Sequence, residues 1–171
     1  MDVWTIRIGA LLIGLCAAVG VGGQATARAA ERDEVTFDAQ VARFAPVPGM
    51  PSCATVGPVR GDPRTGPSVV IVKLAAGCRV PWHWHTANEE LLVASGTGVL
   101  DMKEGKPLPF RPGAYASMPS HHVHQVRCSR TCAFFSIADA AFDIHYVDGA
   151  GNEIPEDAAL KKQAGRKAKK K

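Results

Sequence analysis

The sequence lacks several patterns that identify large classes of protein. No long window repeats its apolar residues with a helical period, and neither a heptad pattern nor an internal repeat is present, which excludes coiled coils and solenoids. It also lacks the glycine-rich loop that cradles nucleotide phosphates. No apolar run reaches the roughly 20 residues that a membrane-spanning helix needs. These absences, with a mean hydropathy near zero, indicate one globular domain in a chain of 171 residues.

The chain contains instead many short apolar or β-branched runs separated by turn-forming residues, which predict an all-β sandwich or barrel. The proline- and glycine-rich segment 46–67 predicts turns and edge segments, and turns are also expected over 75–81 and 104–113. Residues 155–165 are compatible with a terminal helix. The runs expected to form strands are 68–74, 90–96, 98–102, 114–118, 124–128, 132–138 and 143–147.

The first 29 residues have the features of a secretory signal peptide. Arg7 precedes the uncharged apolar stretch Ile8–Gly23, and small residues suited to cleavage follow. A retained membrane anchor is the alternative, but the apolar stretch is short for a spanning helix. A lipoprotein signal is disfavoured because Leu15 precedes Cys16, where a small residue is needed. We therefore expect a periplasmic or secreted protein with no stable membrane insertion after cleavage.

Cleavage would leave four of the five cysteines in the mature chain. An even number in an oxidising compartment predicts disulfide bonds. Four cysteines allow three pairings, and Cys128 and Cys132 flank a short turn that a disulfide would clip. The simplest interpretation joins Cys128 to Cys132 and Cys53 to Cys78. Four buried thiols are the alternative.

The net charge of +4 arises from the end of the chain. Lys161–Lys171 is rich in lysine and contains no acid, whereas residues 30–160 carry more acids than bases. The terminal run predicts a solvated, disordered tail with weak attraction to anionic surfaces. We expect no nucleic-acid partner for an exported protein.

The stretch VPWHWHTANEE concentrates residues that bind metals. On a strand, His83 and His85 project to one face, and Trp82 and Trp84 project to the other. Two neutral imidazoles on one face form a pair of nitrogen ligands, and Glu89 can supply a carboxylate from the start of the next strand. The later stretch MPSHHVHQ offers a further nitrogen ligand from His121, His122 or His124.

These spacings resemble a known family. Gly77, five residues, His83-x-His85, three residues, Glu89, six residues and Gly96 resemble the first motif of the cupin superfamily. The second motif of that superfamily is similar to the arrangement of Gly113, five residues, Pro119 and His124. Two departures occur, because His121 stands where the second motif usually has glycine and Cys128 where asparagine is frequent. His121 is expected to rim the pocket mouth.

The resemblance implies a single cupin β-barrel, that is, a double-stranded β-helix or jelly roll. It implies that one divalent transition metal (Fe, Mn, Zn, Ni or Cu) is bound by His83, His85, Glu89 and His124, beside a small-molecule ligand or substrate. Homodimerisation is also expected. The favoured function is an enzyme acting on a small oxygen-bearing molecule, dioxygenase-like or isomerase-like, with Glu89 as a possible proton acceptor. The alternative is a non-catalytic protein that binds or senses a metal or small ligand.

The sequence leaves the roles of several side chains near the two motifs open. Glu90 competes with Glu89, because a register slip of one residue would exchange which carboxylate faces inward. Trp82 and Trp84 are expected to pack on the outer face rather than against substrate. His122 and His145 are expected to be ordinary polar positions. Four residues are expected either to line a pocket or to fill the core, namely Phe134, Phe135, Tyr115 and Met118.

The domain organisation follows from these observations. We expect a signal peptide over 1–29, an N-terminal arm with edge strands over 30–67 and the barrel over 68–148. A C-terminal segment with the disordered Lys-rich tail would occupy 149–171.

Overall fold

The computed structural model describes residues 34–161, which form two five-stranded antiparallel sheets. The predicted signal peptide and the tail from residue 162 onward lie outside the described residues. No helix within the described part of the chain is long and apolar enough to cross a membrane. The strands are β1 (Ala54–Arg60), β2 (Ser68–Leu74), β3 (Arg79–Trp84), β4 (Glu89–Ser95), β5 (Gly98–Met102), β6 (Leu108–Phe110), β7 (Tyr115–Met118), β8 (His124–Cys128), β9 (Cys132–Ala138) and β10 (His145–Tyr146).

One sheet has the order β1-β2-β9-β4-β7 and the other has the order β10-β3-β8-β5-β6. The predicted all-β barrel is therefore confirmed. The structure differs in detail, because β3 starts at Arg79 and β6 occupies Leu108–Phe110, where turns were expected. The expected strand over 143–147 shortens to two residues, and one short helix covers 156–161.

The core fills the space between the inner faces of the two sheets. Alternate residues point inward, as the pattern Glu89 buried, Glu90 exposed and Leu91 buried shows in β4. Burying a large apolar side chain contributes about 1.5–3 kcal/mol, so this layer supplies much of the stability. Side chains no more than 1% exposed come from both sheets and include Leu74, Leu91, Leu100, Phe110 and Met118.

The turn between β4 and β5 requires glycine. Gly96 has a φ of +90°, which residues with a Cβ rarely adopt. A Cβ there would also collide with the carbonyl oxygen of Thr131 and with Cys132. The last position of the first motif is thus a place where the backbones of two turns meet.

Two disulfide bonds close the barrel at its turns. Cys53 bonds to Cys78, joining the start of β1 to the turn before β3, with 5.8 Å between the Cα atoms. Cys128 bonds to Cys132 across the turn between β8 and β9, with a Cα–Cα distance of 6.1 Å. Both predicted pairs of cysteines are therefore found at disulfide distance.

The arm before β1 covers part of the barrel. Ala45 forms a backbone bridge with Val56, and the hydroxyl of Tyr146 donates a hydrogen bond of 2.6 Å to the carbonyl oxygen of Gly49. Phe37 packs edge-to-face on Phe135, with 6.0 Å between the ring centroids. The arm therefore shields the outward side of Phe135 and contributes to the wall of the barrel interior.

Candidate metal centre

Strand β3 carries one of the predicted ligands, and a β-bulge sets its direction. Val80 pairs with Val126 in β8. The next pair joins His83 to His124, so β3 has one more residue than β8 between the two pairs. Strict alternation from Val80 would turn His83 away from the interior, and the extra residue restores the inward direction. Pro81 lies in the bulge, where proline is tolerated.

The other three predicted ligands reach the same place from different elements. His85 follows β3 directly, Glu89 is the first residue of β4 and His124 is the first residue of β8. All four side chains lie on residues that are at most 4% exposed. Glu90 is exposed, so Glu89 is the carboxylate that faces the interior.

The ligand atoms of these residues converge. One ring nitrogen from each of His83, His85 and His124 lies within 4.8 Å of the others. Oε2 of Glu89 lies 3.3 Å from Nε2 of His85 and 3.3 Å from Nε2 of His124. Three imidazoles therefore converge inside the barrel, and the Glu89 carboxylate lies beside two of them.

Backbone carbonyl groups orient the three rings. Nδ1 of His83 lies 2.6 Å from the carbonyl oxygen of Pro81, and Nδ1 of His124 lies 2.8 Å from that of His122. Nδ1 of His85 lies 2.5 Å from the carbonyl oxygen of Asp143. A carbonyl oxygen only accepts hydrogen bonds, so each Nδ1 carries a proton, and Nε2 is the ring nitrogen that can bind a metal when the imidazole is neutral. This arrangement is typical of metal-binding histidines.

Two further side chains hold the cluster in place. The hydroxyl of Ser136 donates a hydrogen bond of 2.6 Å to Oε1 of Glu89, and both residues are buried. This contact leaves Oε2 as the oxygen that faces the imidazoles. The carboxylate of Asp143 accepts hydrogen bonds from the backbone N–H and the hydroxyl of Thr86, which fixes the loop behind His85.

The electrostatics of the cluster distinguish its members. Burial lowers the pKa of His83 well below its usual value, and the neighbouring imidazoles act in the same direction. Burial also acts to lower the pKa of His85, but the charge of Glu89 outweighs it and raises that pKa. Burial acts to raise the pKa of Glu89, but the electrostatic interaction with the nearby His85 and His124 holds that pKa well below its usual value. Glu89 is thus a carboxylate inside an apolar barrel.

One atom of the cluster has no partner. Nε2 of His85 is buried without a hydrogen bond, although Oε2 of Glu89 lies 3.3 Å away. When Nδ1 carries the proton, a neutral His85 directs a lone pair at a carboxylate oxygen, which is repulsive unless a cation lies between them. A proton is one such cation, and a divalent metal ion is the one that all three imidazoles can share. The donor set therefore fits a divalent transition metal.

The cluster opens into a cavity of about 710 Å³ inside the barrel. Its wall is mainly aliphatic and aromatic, and the arm contributes to it through Val47 and Met50. Cavities of about 300–1,000 Å³ commonly enclose small ligands. A ligand in this cavity would have both the buried cluster and an apolar surface within reach.

The remaining histidines of the sequence prediction lie outside the cluster. His121 is exposed and stacks on Trp84, with 4.2 Å between the ring centroids, and His145 stacks on the opposite face of Trp84 at 3.9 Å. Trp84 therefore packs on the outer face, as expected. His122 is half-buried and contributes its carbonyl oxygen to the orientation of His124.

The four residues with open roles lie in four different environments. Phe134 lines the cavity, and Met118 is buried in the core. Phe135 points outward beneath Phe37 of the arm. Tyr115 is 52% exposed, so the expectation that it lines a pocket or fills the core is wrong, because it lies on an edge strand with its ring turned away from the interior.

Sequence reasoning missed the supports of the ligands. The carbonyl oxygens of Pro81 and Asp143 carry no sequence signal, because any residue supplies the same group. Ser136 does carry one, since it is the polar position in the apolar run CAFFSIA and lies two residues after the inward-facing Phe134. A polar residue in phase with a buried face indicates a buried hydrogen-bond partner.

Solved structures of other proteins share this fold. The polyketide cyclase RemF from Streptomyces resistomycificus superposes with a TM-score of 0.58 at 17% identity, covering 75% of this chain and 99% of that chain. An RmlC-like cupin protein from Ralstonia eutropha superposes with a TM-score of 0.57 at 18% identity, covering 80% of this chain and 88% of that chain. KdgF from a Halomonas species superposes with a TM-score of 0.52 at 18% identity, covering 61% of this chain and 93% of that chain. At these identities the likeness shows the fold alone.

Comparison of the sequence with curated proteins finds no match. The family described as the ChrR cupin-like domain, Cupin_7, matches residues 32–141, which is more than half of the chain. This range includes both histidine-bearing segments and nine of the ten strands. The chain therefore belongs to the ChrR cupin-like domain family of the cupin superfamily.

Proposed function

We propose that the protein binds one divalent transition metal through His83, His85, Glu89 and His124 and acts on a small oxygen-bearing molecule held in the barrel cavity. The observation that carries the proposal is the convergence of one ring nitrogen from each of three histidines at the wall of this cavity, with Oε2 of Glu89 3.3 Å from two of the rings. Such a set suits Fe, Mn, Zn, Ni or Cu and differs from the all-oxygen ligand set that calcium prefers.

A bound ion would supply Lewis-acid activation to a ligand oxygen. Glu89 is the group in the cluster that can accept a proton from the ligand, through Oε2. Ser136 would keep Oε1 of Glu89 anchored while Oε2 changes partner. The surrounding apolar wall would exclude water, which strengthens the interactions between the ligand and these charged groups.

Elemental analysis of the natively produced protein tests the metal assignment. We expect about one divalent ion per chain, and the variant His83→Ala/His85→Ala should lose essentially all of it while circular dichroism still shows a β-rich fold. The matched control is His121→Ala/His145→Ala, which removes two histidines from the outer face and should load fully. Equal loading of the two variants would refute the ligand assignment.

The enzyme interpretation is an oxygen-dependent or isomerase-like reaction, and oxygen uptake with catechols and diketones as substrates tests the first of these. The alternative is a protein that binds or senses its ligand without changing it. One observation favours this alternative. Outside the cluster, the charged side chains of the cavity wall are Asp62, Arg64 and Asp143, and each is already paired. None of these three is therefore free to act on a ligand as an acid or base. A ligand recovered unchanged after tight binding would support the alternative, and a consumed ligand would support the enzyme.

We also propose that the protein works outside the cytoplasm. Two disulfide bonds indicate an oxidising compartment, and the sequence of residues 1–29 predicts export. Thiol titration of the unfolded, unreduced mature protein should find essentially no free thiol. Four free thiols per chain would contradict the proposal.

The expected homodimer remains a proposal as well. Leu92 and Tyr115 face each other across β4 and β7 and are 40% and 52% exposed, so they offer an apolar contact surface. Sedimentation of the wild type should give the mass of a dimer, and Leu92→Asp should shift it toward the monomer. A wild-type monomer at all concentrations would exclude this expectation.

A further inference from the structure

The charged groups that line the cavity fall into two sets. One set is the buried metal-binding cluster. The other comprises Asp62, Arg64 and Asp143. Arg64 pairs with Asp62 at 2.7 Å, and the carboxylate of Asp143 accepts from Thr86 and lies 3.2 Å from a ring nitrogen of His145. Among the described residues, the charged groups in the wall outside the cluster are therefore already partnered.

Apolar side chains from six strands form most of the remaining wall. These include Val56, Val70, Val72, Leu91, Val126 and Phe134. A sugar, nucleotide or phosphate placed against them would lose its hydration without gaining hydrogen bonds, which is unfavourable for each polar group. An apolar body would gain from the same burial.

We infer that the ligand of this centre is a lipophilic molecule that carries one chelating oxygen head, such as a β-diketone, a hydroxyketone or a catechol, on an uncharged body. This inference rests on the proposed metal-binding function and specifies its substrate class. The head meets the metal-binding cluster and the body lies against the valine-rich wall. The cavity of about 710 Å³ has room for a body of one or two aromatic rings or the equivalent alkyl chain.

A series of ligands with one head and a growing body tests the inference on the zinc-loaded protein. Acetylacetone, benzoylacetone and dibenzoylmethane share the β-diketone and add one phenyl ring at each step. Calorimetry should show binding that tightens about tenfold or more for each ring. Gluconate, a polyhydroxylated chelator, should bind more weakly than benzoylacetone. The affinities of the same compounds for free zinc in the same buffer correct for differences in the head.

Two variants on β2 show where the body binds. Val70 lines the cavity, whereas Val69 is adjacent in sequence and lies outside the lining. Val70→Phe should weaken the binding of dibenzoylmethane at least tenfold without reducing the zinc content. Val69→Phe should leave the affinity and the zinc content unchanged. Val56→Phe provides a second obstruction from β1 if Val70→Phe fails to fold. Equal affinity across the ligand series, tighter binding of gluconate than of benzoylacetone, or no effect of either obstruction would overturn the inference.

A metal-free measurement separates failure of this inference from failure of the proposed function. The uncharged dye N-phenyl-1-naphthylamine should become fluorescent on binding metal-free protein, and Val70→Phe should remove that signal while Val69→Phe retains it. Dye binding without zinc loading would contradict the proposed function and support the apolar binding site. Zinc loading without dye binding and without a gain across the series would leave the metal centre intact and overturn the inference.

Discussion

The six histidines of this chain form two sets of three with contrasting surroundings. The inner set is buried, and each Nδ1 contacts a backbone carbonyl oxygen. The outer set is half-buried or exposed. The inner set comprises His83, His85 and His124, and the outer set comprises His121, His122 and His145.

The difference shows what makes a histidine a metal ligand in this fold. In the outer set, Nδ1 of His121 lies 2.7 Å from the hydroxyl of Ser120, and His145 lies between the carboxylates of Asp143 and Glu153. Those partners are side chains that can rotate, and a hydroxyl can donate as well as accept. A backbone carbonyl in a sheet or its adjoining turn cannot rotate freely and cannot donate a hydrogen bond. It therefore fixes both the position of the proton on Nδ1 and the direction of the ring. Residue type alone therefore does not distinguish the two sets.

The largest expected effect is on the stability gained from metal. Zinc at about 1,000 times its dissociation constant should raise the free energy of unfolding by ~4 kcal/mol. His124→Ala should remove most of this gain, because it deletes one inner nitrogen, whereas His122→Ala should preserve it. Calorimetric melting with and without a chelator measures the difference. An equal zinc-dependent shift in both variants would erase the distinction between the two sets.

The second effect concerns the support of Glu89. Ser136→Ala removes the hydrogen bond to Oε1 and lets the carboxylate rotate, so zinc affinity should fall about 10- to 100-fold. Ser117→Ala is the matched control, because Ser117 lies on β7 and is exposed. Competition with a chromophoric chelator measures affinity, and melting of the metal-free proteins reports stability separately. A loss of stability without a loss of affinity would show that Ser136 serves packing alone.

The sequence allowed much of this arrangement to be predicted. The spacing of short apolar runs predicted the β architecture, and two motifs with fixed spacing include the three histidines whose ring nitrogens lie close together. The turn at Gly96 also has a sequence signal, because its backbone conformation excludes residues with a Cβ. These features depend on local pattern, which a single sequence displays directly.

Other features depend on contacts between distant segments and could not be predicted. The bulge between Val80 and His83 is defined only by the register with β8, and without it alternation gives the wrong direction for His83. The contact between Ser136 and Glu89 joins β9 to β4 across 47 positions of sequence. The exposure of Tyr115 follows from β7 lying at a sheet edge, which the order of runs along the chain does not specify.

The third effect is a pH dependence in the metal-free protein. His83 has a lowered pKa in the fold because it is buried, while in the unfolded chain its pKa is about 6.5. Below that pH the unfolded state binds a proton that folded His83 does not, so stability falls as pH decreases, by up to about 1.4 kcal/mol per pH unit. His83→Gln should remove this contribution between pH 6.5 and 5, and His122→Gln should not. Urea titrations across this range measure it, and identical slopes in wild type and His83→Gln would contradict the assignment.

The smallest effect concerns the backbone of the outer set. His121 has a φ of +64° and is the non-glycine residue with positive φ among residues 34–161. It stands at the position where the second cupin motif usually has glycine. This chain therefore has a left-handed backbone conformation at a residue with a Cβ, whereas glycine adopts that conformation freely. Stacking on Trp84 and the hydrogen bond from its N–H to the carbonyl oxygen of His85 (2.9 Å) hold it there.

Both His121→Ala and His121→Gly delete the stacked ring, and they differ in the cost of the left-handed backbone. An L-residue pays about 1–2 kcal/mol in this region, which outweighs the entropy that glycine loses on folding. The glycine variant should therefore be the more stable of the two by about 1 kcal/mol. At His122, whose φ is not positive, the order should reverse, because alanine there restricts the unfolded chain. Urea unfolding of the four variants measures both differences. The same order at both positions would mean that the ring contacts, rather than the backbone conformation, decide which residues position 121 accepts.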